Sequence, residues 1–321
     1  MSMATNSLAR PATVRGRFLK GARTLFSQRW LQLMVIPGII WLIIFCYVPM
    51  YGIVIAFKDY KPGSGFLDGA WVGLKHFRAF FADRFALESI KNTLIISLYK
   101  LLVCFPAPII FALLLNEIRA FRYKKFVQSV SYLPFFLSWV VMVGIMKTLL
   151  GMDGPINDLF LALGITDQRV SFLTEADYFR FIAVVSDLWK GVGWGSILYI
   201  AAISGISQDM YESAYLEGAS RLQRALRITL PSIMPTVTIM LMLNVSGILG
   251  SNFDQHLLML NAQVSTVATT IDTYVYSVGL QTGRYSFATA ISLSRSIIAF
   301  VLLFISNAVA RKLSDGEQGI F

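Results

Sequence analysis

Six stretches of the chain are apolar for long enough to cross a bilayer, and polar or turn-forming residues separate them. A membrane-spanning helix needs about 20 predominantly apolar residues. The pattern predicts spans over residues 31–56, 93–115, 127–150, 178–205, 233–258 and 287–310. The first is too long for a cleavable leader, carries Pro37 and Pro49, and lacks a small-x-small exit, so it reads as a span. Six spans place both termini on one side. The first connection opens with turn chemistry, Lys61-Pro-Gly-Ser-Gly65, and continues through residues 74–81, aromatic and basic at helical spacing. That pattern predicts a short helix on the outer surface. Residues 154–164 predict another, with Pro155 at its start and Gly164 at its end.

Composition agrees with this pattern. Hydrophobic residues make up 56% of the 321 and charged residues 14%, where a soluble domain carries roughly a quarter charged. This excludes a soluble globular domain and a disordered chain. The net charge of +10 requires no nucleic acid, because the basic residues of a polytopic protein face cytoplasmic headgroups. Lys and Arg number 15 in residues 1–30, the second-to-third and fourth-to-fifth connections and the C-terminal tail, against 8 on the other side. Positive-inside therefore predicts that both termini are cytoplasmic. The expected organisation is an all-α polytopic membrane protein with six transmembrane helices. A basic cytoplasmic segment spans 1–30, the membrane domain 31–313 with a cytoplasmic loop at 206–231, and a cytoplasmic tail 314–321. Cys46 and Cys104 lie in apolar runs and read as small apolar fillers. His76 and His256 are too isolated to form a metal site, and no Gly-rich phosphate loop ending in Lys-Ser/Thr is present.

Ionisable residues inside spans are costly, and they line a path or pair with one another. The candidates are Lys100, Lys147, Asp187, Lys190 and Arg295, with Arg180 and Asp254 close to the outer ends of their spans. Asp187 and Lys190 are i, i+3 neighbours and read as a local ion pair or as path-lining groups. Arg295 either lines the path or pairs with Asp187. Four cations against one acid leave a positive excess that anions would have to meet, and an acidic saccharide would supply carboxylates for charge-assisted hydrogen bonds. Gly191, Gly193 and Gly195 allow either close helix packing or local unwinding of the fourth span. Trp189 and Trp194 offer either faces for sugar rings or packing aromatics.

The longest inner connection is Tyr211-Glu-Ser-Ala-Tyr-Leu-Glu-Gly218-Ala-Ser-Arg-Leu-Gln-Arg-Ala-Leu-Arg-Ile228-Thr-Leu-Pro231. Small residues Ser213, Ala214, Gly218 and Ala219 give a short helix a slim face. Gly218 allows a turn into a second helix through Arg221–Arg227, and Pro231 opens the fifth span. By composition alone this is an ordinary basic interfacial loop. Its order is more specific: Glu212-Ser-Ala, three residues, Gly218, nine residues, Ile228-x-Leu230-Pro231. This resembles the cytoplasmic signature of binding-protein-dependent ABC importer permeases, departing at Ser213 for Ala and Glu217 for a common Asp. Tyr47-Val-Pro-Met-Tyr-Gly-Ile-Val-Ile-Ala-Phe-Lys-Asp59, Trp71-Val-Gly-Leu-Lys-His-Phe77, Asn92-Thr-Leu-Ile-Ile, Trp189-Lys-Gly-Val-Gly-Trp194 and Asp272-Thr-Tyr-Val-Tyr276 are similar to the oligosaccharide and polysaccharide branch, which includes permeases for maltose and for alginate oligosaccharides.

The resemblance implies a non-catalytic subunit in the bacterial inner membrane. It would form half of a translocation path with a second, homologous permease. Two ATP-binding cassette subunits would bind ATP and Mg, and an extracytoplasmic solute-binding protein would deliver the oligosaccharide; no cofactor would sit in this chain. Glu212, Ser213, Ala214, Gly218, Ala219, Leu230 and Pro231 would form the ATPase-coupling element. Sugar contacts in the maltose permease imply Lys190, Gly191 and Trp194 in the fourth span, and Ile248, Asn252 and Gln255 in the fifth, with Arg295 added from the charge reading. Lys190 stands where a neutral-sugar transporter has an apolar residue, which favours an acidic, alginate-type substrate. The alternatives are a permease for a neutral oligosaccharide and an ion-coupled carrier using the Asp187–Lys190 pair. A membrane-embedded enzyme lacks a nucleophile–base or metal cluster.

Overall fold

A computed structural model describes residues 28–65, 68–250 and 252–313, so most of the basic N-terminal segment and the tail 314–321 lie outside the described residues. Six helical tracts are long and apolar enough to cross a membrane: Trp30–Phe57, Arg84–Glu117, Trp139–Ala162, Ala176–Ser204, Arg221–Ser246 and Tyr285–Ile305. The chain divides after Val54 into two units. In the first, α1 (Arg29–Leu42) passes into a π turn at Ile43–Tyr47 and a helical turn at Val48–Met50. The π turn widens the helix ahead of Pro49, whose ring cannot sit against the carbonyl four residues back in a regular helix.

The second unit opens with a minimal hairpin, β1 (Lys58–Asp59) antiparallel to β2 (Ala70–Trp71). Phe57 stacks on Trp71 with ring centroids 5.8 Å apart. The helix expected over 74–81 is α2 (Lys75–Ala82). Lys75 lies 2.7 Å from Asp59, and its hydrogen bond holds that carboxyl below the usual carboxylate range. The second span is α3 (Arg84–Cys104) and α4 (Pro106–Glu117), interrupted at Phe105 because Pro106 lacks an N–H. Asp83 caps α3 by accepting from the Phe85 and Ala86 amides.

The third and fifth spans differ from the pattern. The tract expected at 127–150 is two helices, α5 (Phe121–Tyr132) and α6 (Trp139–Leu150). Between them Leu133–Phe136 forms a 3-10 turn. Pro134 withholds a donor there, and Ser138 starts a new helix by accepting from the Val141 amide at 3.3 Å. The span continues through a turn into α7 (Pro155–Ala162), closed at Gly164 with φ +66°. The fourth span is one unbroken helix, α8 (Ala176–Ser204).

After α8 come α9 (Gln208–Leu216) and α10 (Arg221–Arg224). A π turn at Ala225–Thr229 then leads into α11 (Leu230–Ser246). The helical tract thus runs continuously from Arg221, and Pro231 sits inside it rather than opening it. The π turn supplies the room that the Pro231 ring needs. At the other end the tract stops at Ser246, so 233–258 is not one helix. Gly247 and Gly250 break it before α12 (Phe253–Met259). Short helices α13 (Ser265–Ala268) and α14 (Ile271–Tyr276) precede the last span, α15 (Tyr285–Leu313).

α8 lies at the centre of the packing. Its Phe179, Ile182 and Ala183 join Ile96 of α3, Val143 and Met146 of α6, and Met259 of α12 in one buried cluster. Farther along, Tyr199 and Ile203 pack with Ile109 and Ala112 of α4 and with Ile233 and Val237 of α11. Gly193 and Gly195 of α8 serve packing, Gly191 does not, and the helix unwinds at none of the three. A Cβ on Gly193 would stand 2.1 Å from the Ser131 carbonyl oxygen, and one on Gly195 would stand 3.1 Å from Pro108. A Cβ on Gly191 would meet nothing within 4 Å.

Candidate functional site

Two helix interruptions face α8: the α3–α4 break at Phe105 and the α11–α12 break that holds Gly247, Ile248, Gly250 and Asn252. Between them lies a cavity of about 200 Å³ whose lining includes Lys100, Phe105, Asp187, Asn244, Ile248 and Asn252. An adjoining cavity of about 360 Å³ shares Phe105, Asp187 and Asn244 and extends along α8 past Gly191 and Trp194. Broken helices place backbone polar groups and small residues beside a polar space, the arrangement tolerated in a membrane where backbone lines a cavity.

The centre of this site is Asp187. One carboxylate oxygen lies 3.3 Å from Lys100 Nζ, and the other accepts from the Asn252 amide at 2.5 Å. Lys100 also donates to Gln255 Oε1 at 2.7 Å. Gln255 in turn donates to the Ala183 carbonyl at 2.7 Å and to Ser186 Oγ at 2.9 Å. α3, α8 and the segment after α11 are therefore tied through one hydrogen-bonded cluster.

The residues expected along a substrate path separate into different places. Gly191, Trp194, Ile248 and Asn252 line the two joined cavities. Trp194 stacks on Phe135 at 4.4 Å with the rings nearly parallel, and 44% of it remains exposed. Gln255 is fully buried and positions Lys100. Lys190 does not pair with Asp187. Its ammonium donates to the carbonyls of Pro134, Phe135 and Leu137, the chain break between α5 and α6. It also lies 5.5 Å from the Trp139 ring centre. Arg295 pairs with Asp272 of α14 and not with Asp187. The two line a third cavity, about 620 Å³, with Phe253, Tyr276 and Tyr285.

The positive excess read from the spans is thus largely met within the chain. Lys100 has Asp187, Arg295 has Asp272 from a short helix outside the spans, and Lys190 has carbonyl dipoles. These partners lie far apart in sequence, and no local spacing points to them. Lys100 was legible as a deep cation, but its partner was not. Asn244, which lines both joined cavities, carried no sequence signal beyond being an amide in an apolar run.

The 206–231 segment is a compact joint. Ser207 caps α9 by accepting from the Asp209 amide at 3.3 Å. Gly218, at φ +79°, ends it, with the Ala219 amide reaching the Ala214 carbonyl at 2.9 Å, a Schellman closure. Ser220 and Gln223 form a capping box that starts α10. Tyr211 of α9 hydrogen-bonds Thr229 at 2.9 Å, joining α9 to the root of the fifth span. Leu216, 86% exposed, and Tyr215 stand at the end of α9.

Residues 93–315 match the family described as binding-protein-dependent transport system inner membrane component. The chain belongs to this family. It is a multi-pass permease component of the inner membrane. Protein LplB of Bacillus subtilis is 40% identical over 97% of both chains. The polygalacturonan/rhamnogalacturonan transport system permease protein YteP of the same organism is 41% identical over 92% of both. Among solved structures, a chain of a bacterial ABC transporter that imports the acidic polysaccharide alginate matches at 37% identity, with a TM-score of 0.84. The match covers 91% of this permease and 99% of that chain. The same level of likeness holds for the alginate transporter in complex with an alginate pentasaccharide-bound periplasmic protein.

Proposed function

We propose that this permease forms half of the translocation path of an ATP-driven importer for oligosaccharides, and that its substrate is acidic. The observation that carries the reading is the polar cavity around Asp187 and Lys100, at two helix interruptions, with the partly exposed Trp194 in its extension. A saccharide presents hydroxyls for Asn244, Asn252 and Asp187 and an apolar ring face for an indole. YteP and the alginate transporter, whose named substrates are uronate-containing polysaccharides, support the acidic class.

In this reading a second, homologous permease completes the path, and two ATP-binding cassette subunits hold ATP and Mg. A solute-binding protein delivers the sugar on the side opposite α9, and both termini are cytoplasmic. α9, with Glu212, Ser213, Ala214, Gly218 and Ala219 in and just after it, contacts the cassettes through its exposed end. The Tyr211–Thr229 bond passes their movement to the span that carries Leu230 and Pro231. ATP acts on the cavity by binding one arrangement of the joint better than the other. A neutral oligosaccharide is the second reading, favoured by the pairing of Lys100 with Asp187, which leaves the lining of the joined cavities without an excess charge.

The test is purification of the chain with its partner subunits, reconstitution in liposomes, and measurement of ATP hydrolysis with oligouronates and with neutral oligosaccharides of equal length. Stimulation by oligouronates is expected. Stimulation by neutral sugars alone would replace the acidic class, and stimulation by neither would overturn the saccharide reading.

A further inference from the structure

The ends of α3 and α8 farthest from α9 enclose a separate cavity of about 520 Å³, lined among others by Arg84, Glu88, Lys91, Asn92, Arg180 and Thr266. Its lining holds three cations and one carboxylate. That carboxylate, Glu88, is engaged by Arg84 at 2.9 Å. Lys91 has no carboxylate within 4.0 Å among the described residues.

Arg180 is held in place. Asn92, 4% exposed, donates its amide to the carbonyls of Thr266 and Thr269 at 2.8 and 3.2 Å. That fixes its amide oxygen as an acceptor, and Arg180 Nη2 donates to it at 3.1 Å. The guanidinium is therefore aimed by a neutral group, and no carboxylate lies within 4.0 Å of it among the described residues. Its Nε is buried without a hydrogen-bond partner. Because Nε is enclosed, a ligand meets the Nη end, whose donors not taken by Asn92 fit a carboxylate, which can accept from two N–H groups at once.

The position adds a second argument. Asn92 and Lys100 are eight residues apart on α3, roughly 12 Å along the helix, and Arg180 and Asp187 are seven apart on α8, roughly 10 Å. The Asn92–Arg180 and Lys100–Asp187 contacts are thus two rungs between the same two helices. The basic pocket lies at the outer rung and the neutralised cavity at the inner one. With α9 on the cytoplasmic side, as the proposed function has it, an incoming charged oligomer would meet the unneutralised rung before the charge-balanced one.

We propose that the pocket of Arg180, Lys91 and Arg84 is a carboxylate subsite that receives a uronate group of the saccharide at the outer mouth, before the mid-span cavity. This rests on the acidic-oligosaccharide reading. It assigns the discrimination between acid and neutral sugar to the outer pocket rather than to Lys100.

The test uses the reconstituted importer with its binding protein and compares an oligouronate with its methyl ester, which keeps the shape and removes the charge. The readout is the ratio of the substrate concentrations that half-saturate uptake. Arg180→Gln retains a donor for Asn92, and Lys91→Gln changes an exposed position. Each is expected to lower the preference for the free acid about tenfold, the size of one charge-assisted hydrogen bond, and Arg180→Lys should restore only part of it, since an ammonium keeps the charge but not the paired N–H geometry. If the unaltered importer shows no preference for the acid, the acidic reading and this inference fall together. If the preference exists and survives both substitutions, only the subsite is overturned. Equal loss for acid and ester would also overturn it, because the effect of Arg180 would then not depend on the charge of the substrate.

Discussion

Lys100 and Asp187 face each other at 3.3 Å across α3 and α8, with 14% and 21% of their side chains exposed. Each has a further partner, Gln255 for the lysine and Asn252 for the aspartate. Such a pair adds little beyond a well-packed apolar pair, but removing one member strands a charge in a poorly solvated site.

Lys100→Met should therefore destabilise the assembled permease by about 3 kcal/mol. Adding Asp187→Asn should recover most of that loss, since the amide no longer needs a cation. Thermal unfolding of the purified complex reads both. A double variant no more stable than Lys100→Met would show that the two charges do not depend on each other.

Lys190 has a different role. Its ammonium satisfies carbonyls exposed by the chain break before Ser138. Lys190→Met takes the ammonium from the Phe135 and Leu137 carbonyls, while the Pro134 carbonyl keeps the Leu137 amide, at about 1–3 kcal/mol for each acceptor left unpaired and buried. Assembly should fall whether or not Asp187 is also replaced, and Lys190→Arg should retain part of it. Normal assembly of Lys190→Met with selective loss of acidic-sugar uptake would instead place Lys190 against the substrate.

The glycines of α8 offer a contrast within three residues. Gly193→Ala would force a methyl to 2.1 Å from the Ser131 carbonyl, and separating α8 from α5 should cost about 1–3 kcal/mol. Gly191→Ala points into open space and should change stability by less than about 0.5 kcal/mol. Melting temperatures of the two variants should separate clearly, and equal values would contradict the packing described.

Gly218 tests the joint. Its φ of +79° is open to Gly, tolerated by Asn, and strained by about 1–2 kcal/mol for a β-branched residue. No atom of this chain lies within 4 Å of an added Cβ, so within the joint itself the effect comes from backbone conformation. Gly218→Asn should keep ATP-driven uptake, whereas Gly218→Val should lower it several-fold with the cassettes still bound. Equal uptake in both would remove the Schellman closure from the coupling path.

The six-span, all-helical architecture was legible because burial in lipid demands long apolar runs, and such runs show in sequence without knowledge of neighbours. The joint at 207–229 was legible for a related reason. Turns are local chemistry, so Gly218 announces the end of α9 where it stands, whereas the caps at Ser207 and Ser220 emerged only with the structure. Span ends at Pro and Gly were harder. Pro134 and Gly247 break runs whose hydropathy continues, because hydropathy reports transfer to lipid and not backbone hydrogen bonding.

The partners of the ionisable residues inside the spans were decided by tertiary structure. The i, i+3 spacing of Asp187 and Lys190 puts both on neighbouring turns, yet an ion pair forms with whichever group the packing brings within reach. α3 brings Lys100 to Asp187, the break after α5 offers carbonyls to Lys190, and α14 brings Asp272 to Arg295. The outer basic pocket is likewise assembled from α3, α8 and the residues around α13, and no contiguous stretch of sequence contains it. Local hydrogen bonding and lipid burial are properties of a segment and could be read along the chain. Electrostatic pairing depends on distance through space, and here it joins Arg295 to Asp272, 23 positions away, and Lys100 to Asp187, 87 positions away.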